Sequence, residues 1–412
     1  MAKRTVDVAV VGGGPAGLIA ATTAARAGAA VVLFDRQPLG GEKLLLSGGG
    51  RCNLLPAEQD FDAYVSDASR HVVRKILSTW RLEDARAFLE KHARIALAER
   101  KRSGKLFPVR GGGEEVRQRM MAMARRANVE LRMKSRVVKI QPTKKLHVFL
   151  EQGDEFVARA VVLAMGGRSY PRTGSDGSGF RLAEGLGHRL VPPYPALVAL
   201  KTDRAEHRAL AGVSVDVELR AYAGVGKQRI RFRSRGAMLF THRGYSGPAV
   251  LNIGHVVARA IQHEDPFEVR VSWGDLSEET WRTAFSRHEG DARQAIREAL
   301  PARLGDTLLG DPSLSGIGAT FDDRMTHRLV RVLTDDALPV TGTAGFGSAE
   351  ATGGGVPLTE LDVRSMESQI APGVFVAGEM VDVFGAIGGF NFLWAFASGR
   401  LAGRSAAERA VR

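Results

Sequence analysis

The chain has a single cysteine, Cys52, among 412 residues. One cysteine excludes an internal disulfide framework and any CxxC metal knuckle, and it fits a reducing cytoplasm. No spacing of metal-ligating residues stands out, and no metal is expected. No uninterrupted apolar run is long enough to span a bilayer. The apolar stretch after Lys3 and Arg4 is broken by Asp7, a glycine triplet and Arg26, so it reads as a strand–turn–helix unit rather than a signal peptide. Repeats and long low-complexity segments are also missing.

Acidic residues are in short supply. There are 58 Lys and Arg against 45 Asp and Glu, a net charge of +13. From Lys91 to Lys145 the chain carries 17 Lys or Arg and 4 Glu, an excess equal to that of the whole chain. A solvated basic face explains this, and so does a surface for a polyanion.

Glycine, by contrast, is abundant. The 48 glycines cluster in short runs, which points to backbone packed close to a ligand. The length predicts two or three domains. Val6 to Val11 reads as a strand, Pro15 to Ala27 as a helix, and Ala30 to Phe34 as a second buried strand. Arg136 to Val157 reads as a β-meander and Ala160 to Ala164 as another apolar strand. Further strands are expected at Val213 to Leu219 and Arg229 to Phe240, then a mainly helical segment from Pro248 to Leu333. A buried strand at Val374 to Ala377 and a helix from Asn391 to Arg409 close the chain. The fold class is therefore α/β. A discontinuous first domain (1–191 and 345–412) is interrupted by a β-plus-helical substrate domain (192–344).

Gly12-Gly13-Gly14-Pro15-Ala16-Gly17 is a GxGxxG turn between strand and helix. Gly12 allows the tight turn, Gly14 lets backbone approach a pyrophosphate, and the third glycine lets helix and strand pack closely. Helix N–H groups beyond Pro15 and Ala16 face the phosphates. Asp35 ends the next strand, where a carboxylate can accept from ribose hydroxyls. Two later strand ends, Ala164-Met165-Gly166-Gly167 and Ala377-Gly378-Glu379, resemble the second and third flavin motifs of the glutathione-reductase-type fold. That resemblance implies a Rossmann-type FAD-binding domain, with Glu379 on the ribityl chain. No second GxGxxG provides a separate nicotinamide domain.

Ser47-Gly48-Gly49-Gly50-Arg51-Cys52-Asn53 resembles the SGGGRCN signature of a bacterial family of aminoacetone-oxidase-type NAD(P)/FAD-dependent oxidoreductases. Thr173 to Gly177, Thr241 to Pro248, Thr352 to Val356, Gly378 to Gly385 and Gly388 to Asn391 are similar to the family's further motifs, in family order. Phe384 and Phe390 depart from it where many members carry Asp and Tyr, and Leu393 replaces a common Gln. The resemblance implies a flavin-binding set that adds Arg36, Lys43, Ser47, Gly49, Gly50, Arg51, Asn53 and Val138 to the residues above; Arg51 and Asn53 could equally face substrate, and plain loop-stabilising hydrogen bonds also account for Asn53. It also implies Gly388, Gly389, Phe390 and Asn391, which open the last helix. A helix N-terminus there would stabilise negative charge on the reduced pyrimidine edge.

The resemblance further implies NAD(P)H as co-substrate. It brings in ribosomal RNA as a partner, since uridine-to-dihydrouridine reduction in large-subunit rRNA is attributed to family members. A small-molecule amine oxidase or ene-reductase, and a flavin-binding RNA or ribosome partner without turnover, stay open. Reduction of a polarised C=C needs a hydride and a proton. Cys52 is a possible proton donor or a small packed residue. His242 and Tyr170 are weaker candidates, and a local hydrogen bond also accounts for His242. Arg168 borders the pocket or a solvated loop. Arg229, Arg231, Arg233 and Arg235 alternate along one strand and share a face, either a phosphate track or a solvated sheet surface.

Overall fold

A computed structural model describes residues 4–100, 103–226, 230–288, 292–310 and 323–411. The chain divides into two compact units, one from 1–193 with 351–412 and the other from 194–350.

The first unit is built on five parallel strands. In order these are Val374–Val376, Glu155–Leu163, Arg4–Val11, Val31–Phe34 and Glu130–Arg132. The inner strands are almost wholly apolar, as parallel strands covered on both faces must be. Glu155–Leu163 serves two partnerships. Its first half pairs antiparallel with Leu146–Leu150 and completes the meander, while its whole length pairs parallel with Arg4–Val11. The separate strand expected at Ala160 is thus the end of the third meander strand.

Register sets the site. Val11 pairs with both Phe34 and Leu163, and Leu163 pairs with Val376. Four strands therefore release their chains side by side at one sheet edge, the carboxyl edge where open α/β sheets take ligands. Over the sheet lie the helices Pro15–Arg26 and Phe390–Val411. A Cβ on Gly399 would lie 2.4 Å from the Ala16 carbonyl oxygen, and one on Gly403 would lie 2.2 Å from that of Ala20. Only glycine permits that approach.

The second unit has its own buried core and a seven-stranded sheet. Ser214–Ala223 lies between Ile230–Thr241 and Phe267–Trp273, antiparallel to both. Phe267–Trp273 is a strand not expected within the mainly helical segment beyond Pro248. Its alternation (Phe267, Val269, Val271 and Trp273 inward, Glu268 and Arg270 outward) is the period of a half-buried strand. Helices Ala205–Ala209, Pro248–His263, Glu278–Arg287, Ala292–Ala299, Ala302–Leu309 and Asp323–Thr334 belong to the same unit. Among the described residues, no helix is long and apolar enough to cross a membrane.

Candidate functional site

The glycine turn divides its labour as the spacing requires. Gly12 has φ +108°, and a Cβ there would lie 2.3 Å from the Ala164 carbonyl oxygen. A Cβ on Gly17 would lie 1.8 Å from the Gly12 carbonyl oxygen, so helix and strand touch there. Gly14 is different. Its φ of −76° suits any residue, and a Cβ would meet nothing within 4 Å. The turn thus leaves room beside Gly14, at the start of Pro15–Arg26, where helix N–H groups attract phosphate.

Asp35 folds back onto this turn. Its carboxylate accepts from Gly13 N at 2.5 Å and Gln37 N at 2.7 Å. Burial pushes its pKa up, against the pull of those two N–H groups and of Arg36. Arg36 pairs with Asp176 at 2.5 Å. Burial of Asp176 is outweighed by its Ser178 hydrogen bonds and by Arg36, and its carboxyl falls to about 2.

The strand ends converge on Glu379, which carries a four-residue polar cluster. Lys43 forms an ion pair with Glu379 and also donates to Ser169 Oγ at 2.7 Å. Ser169 donates to Glu379 Oε1 at 2.6 Å, and the Thr352 backbone N–H donates to the same oxygen at 2.7 Å. Thr352 Oγ1 accepts from Arg168 N at 2.8 Å and Ser169 N at 3.1 Å. Ser169 and Thr352 are completely buried. Neither had been singled out as a site residue. Their signal lay in position, directly after Gly166-Gly167 and opening Thr352-Gly353-Gly354-Gly355.

A second junction joins the SGGGRCN loop to the last helix. With its amide turned to satisfy both partners, Asn53 accepts from Gly389 N at 3.1 Å and donates to Leu55 O at 3.2 Å. Asn391 exchanges two hydrogen bonds of 2.9 Å with the backbone of Gly385. Tyr64 donates to Phe390 O at 3.2 Å. Gly388 and Gly389 both take positive φ, and a Cβ on Gly389 would strike Leu55. Both asparagines tie backbone to backbone. Asp382, also missed, is buried and accepts from Gly354 N and Asp67 N, each at 3.0 Å.

Other expected residues sit elsewhere. Cys52 takes φ +59° and is completely enclosed in the apolar core; burial pushes its thiol up to about 12. Ser47 donates to Asn53 O at 3.5 Å, while Gly49, Gly50 and Arg51 are exposed. Val138 is exposed at a register shift in the meander. Tyr170, with φ +49°, opens a half-buried turn just past Ser169. His242 is exposed on the second unit. Arg229 lies outside the described residues. Of its neighbours, Arg233 and Arg235 both pair with Glu218, and Arg235 also reaches Asp275 at 3.3 Å. Two of the described strand arginines are therefore already ion-paired. Arg231 is exposed.

The glycine turn, the aligned strand ends and the Glu379 cluster lie together at the carboxyl edge of the sheet. The family model for the HI0933-like protein Rossmann domain matches residues 6–405. The chain belongs to that family. It is 31% identical over 415 residues to the 3-dehydro-bile acid delta(4,6)-reductase of Clostridium scindens, covering 98% of this chain and 99% of the relative. It is also 31% identical over 405 residues to the ribosomal RNA dihydrouridine synthase of Escherichia coli K12, covering 95% and 96%. Among solved structures, the open conformation of a flavocytochrome c3 fumarate reductase superposes with a TM-score of 0.53 at 18% identity, covering 99% of this chain and 79% of that one. Membership of the HI0933-like family makes this chain an FAD-dependent oxidoreductase on a Rossmann-type FAD-binding fold. The residues present fit the cofactor. Gly14 leaves space where a pyrophosphate needs it, and the half-buried Glu379 is already oriented by three donors.

Proposed function

We propose that this chain reduces a C=C bond conjugated to a carbonyl, and that its substrate is a uridine of large-subunit ribosomal RNA. One observation carries the chemistry. The two relatives' names, a delta(4,6)-reductase and a dihydrouridine synthase, describe the same change, saturation of a ring C=C. The net charge of +13 supports an RNA substrate over a neutral one.

Bound FAD supplies the electron pair, renewed from NAD(P)H. The chain's residues do the rest. Gly14 and the helix behind it hold the pyrophosphate, with Asp35 and Arg36 beside the adenosine ribose. Glu379, fixed by Lys43, Ser169 and Thr352, binds the ribityl hydroxyls. The proton for the second carbon comes from a side chain near Ser169. Tyr170 is the residue to test first, because it follows Ser169 directly and Cys52 is enclosed. The lone cysteine suits work in the cytoplasm.

Mass spectrometry of 23S-type rRNA from a deletion strain tests the proposal. Loss of one dihydrouridine, restored by the intact gene, is the expected result. Unchanged rRNA, together with NAD(P)H-dependent reduction of a steroid-like enone by the purified protein, would replace it with the small-molecule reading that the Clostridium scindens relative favours. A flavin that NAD(P)H cannot reduce would leave only a binding role.

A further inference from the structure

Part of the basic surface is already ion-paired. In the stretch from Lys91 to Lys145, Arg117 pairs with Glu114, Arg119 with Glu115, Arg132 with Glu130 and Arg136 with Glu151. Arg233 and Arg235 in the second unit are likewise paired. A guanidinium already bound to a carboxylate gains little from a phosphate, because the existing pair must first be broken.

One group differs. Phe107 carries two guanidinium groups near its ring, Arg51 at 5.8 Å and Arg100 at 5.7 Å from the centroid. A Cβ on Gly48 of the SGGGRCN loop would lie 3.4 Å from the same ring. The strand Lys105–Pro108 pairs with Leu55–Pro56 just beyond that loop. Gly113 N donates to Gly50 O at 2.9 Å, which brings Arg110 and its glycine run to the loop's other side. Arg51 and Arg100 thus lie at the ring beside Gly48, and Lys105 and Arg110 stand on the segments that bond to Leu55–Pro56 and to Gly50. Among the described residues, none of the four is ion-paired. Arg51 donates to Gly48 O at 3.1 Å and Arg100 to Pro108 O at 3.3 Å, both backbone carbonyls. The nearby carboxylates are engaged: Glu99 accepts from Gly104 N, and Glu115 holds Arg119. Leu46 and Val109, 45% and 53% exposed, add apolar surface.

We infer that this patch, and not the arginine strand Ile230–Thr241, docks a single-stranded RNA segment. The inference rests on the RNA reading above. Uncompensated cations next to exposed apolar side chains match what single strands offer, which is a line of phosphates with unstacked bases. Glycines without side chains let that strand lie close to the loop.

The test uses the FAD-loaded protein and a uridine-rich 20-nucleotide RNA. The variant Arg100→Gln/Lys105→Gln/Arg110→Gln spares Arg51, which belongs to the flavin loop. Three lost phosphate contacts should lower the slope of log affinity against log salt by about 2, and affinity at low salt by roughly tenfold or more. FAD content and melting temperature should match the parent. Arg231→Gln/Arg233→Gln should bind RNA like the parent. Unchanged RNA binding in the triple variant overturns the inference. So does loss of binding in the strand variant, or a parent that binds vesicles of phosphatidylglycerol through these residues but not RNA. The two proposals fail separately. A parent that binds RNA through the patch but forms no dihydrouridine sinks the reaction and keeps the surface. Dihydrouridine formed as well by the triple variant sinks the surface and keeps the reaction.

Discussion

Thr352 holds Glu379 through its backbone and the loop after Gly167 through its side chain. Its N–H donates to Glu379 Oε1 at 2.7 Å, and its Oγ1 accepts from Arg168 N and Ser169 N. One buried threonine therefore aligns two of the strand-end segments. Thr352→Val keeps the shape but leaves two buried N–H groups without an acceptor, at a cost of about 1–3 kcal/mol. The expected outcome is weaker FAD retention in a folded protein, measured by flavin absorbance per mole and by melting temperature. Thr352→Ser should restore retention. If Val and Ser behave alike, the hydroxyl has no part in the alignment.

Gly14 and Gly17 should fail in different ways. A Cβ at 14 meets no atom within 4 Å and needs no unusual backbone, so Gly14→Val should fold and yet purify without FAD. Gly17→Val would drive into the Gly12 carbonyl and should not fold. Asp35→Ala should lie between, folded with weakened FAD affinity. Circular dichroism read beside flavin content separates the three. A fully yellow Gly14→Val protein would remove the pyrophosphate from that place.

Cys52 is enclosed, and its thiol stays protonated at every physiological pH. Cys52→Ala should cost about 1 kcal/mol of stability, the worth of a small buried group. Stopped-flow measurement should find reduction by NAD(P)H and reoxidation by substrate close to the parent. A loss of about 10²- to 10⁴-fold confined to reoxidation would instead make the thiol the proton donor.

His255 gives the second unit an acid limit. Its ring is buried against Phe232 and bonded to Asn252 O at 2.8 Å; burial, with Arg259 nearby, pushes its pKa from 6.5 down to about 4. The unfolded chain therefore binds a proton that the folded chain refuses. Stability from this source is complete above pH 6.5 and is lost as pH falls towards 4, by on the order of 3 kcal/mol at most. Urea titrations across that window should show the decline, and His255→Gln should flatten it. An unchanged slope in the variant would assign the decline to other groups.

The sequence by itself determined the first βαβ unit, the glycine turn and the buried strands that run into Gly166-Gly167 and Gly378. These depend on residues close together in the chain, where a period of two or 3.6 and a steric need for glycine can be read directly. Phe267–Trp273 escaped because a seven-residue alternation between long helical stretches carries little local signal. Tertiary structure alone decided which partners the polar groups found. Nothing near Asn53 or Asn391 indicates that both would tie backbone segments together. The chain order likewise conceals that Glu218 pairs with both Arg233 and Arg235. Lys43 and Glu379 lie 336 residues apart and meet only because strand register brings their loops to one edge. A side chain's type limits what it can bind, but its actual partner is set by the folded backbone, through contacts of high sequence separation that no local pattern encodes.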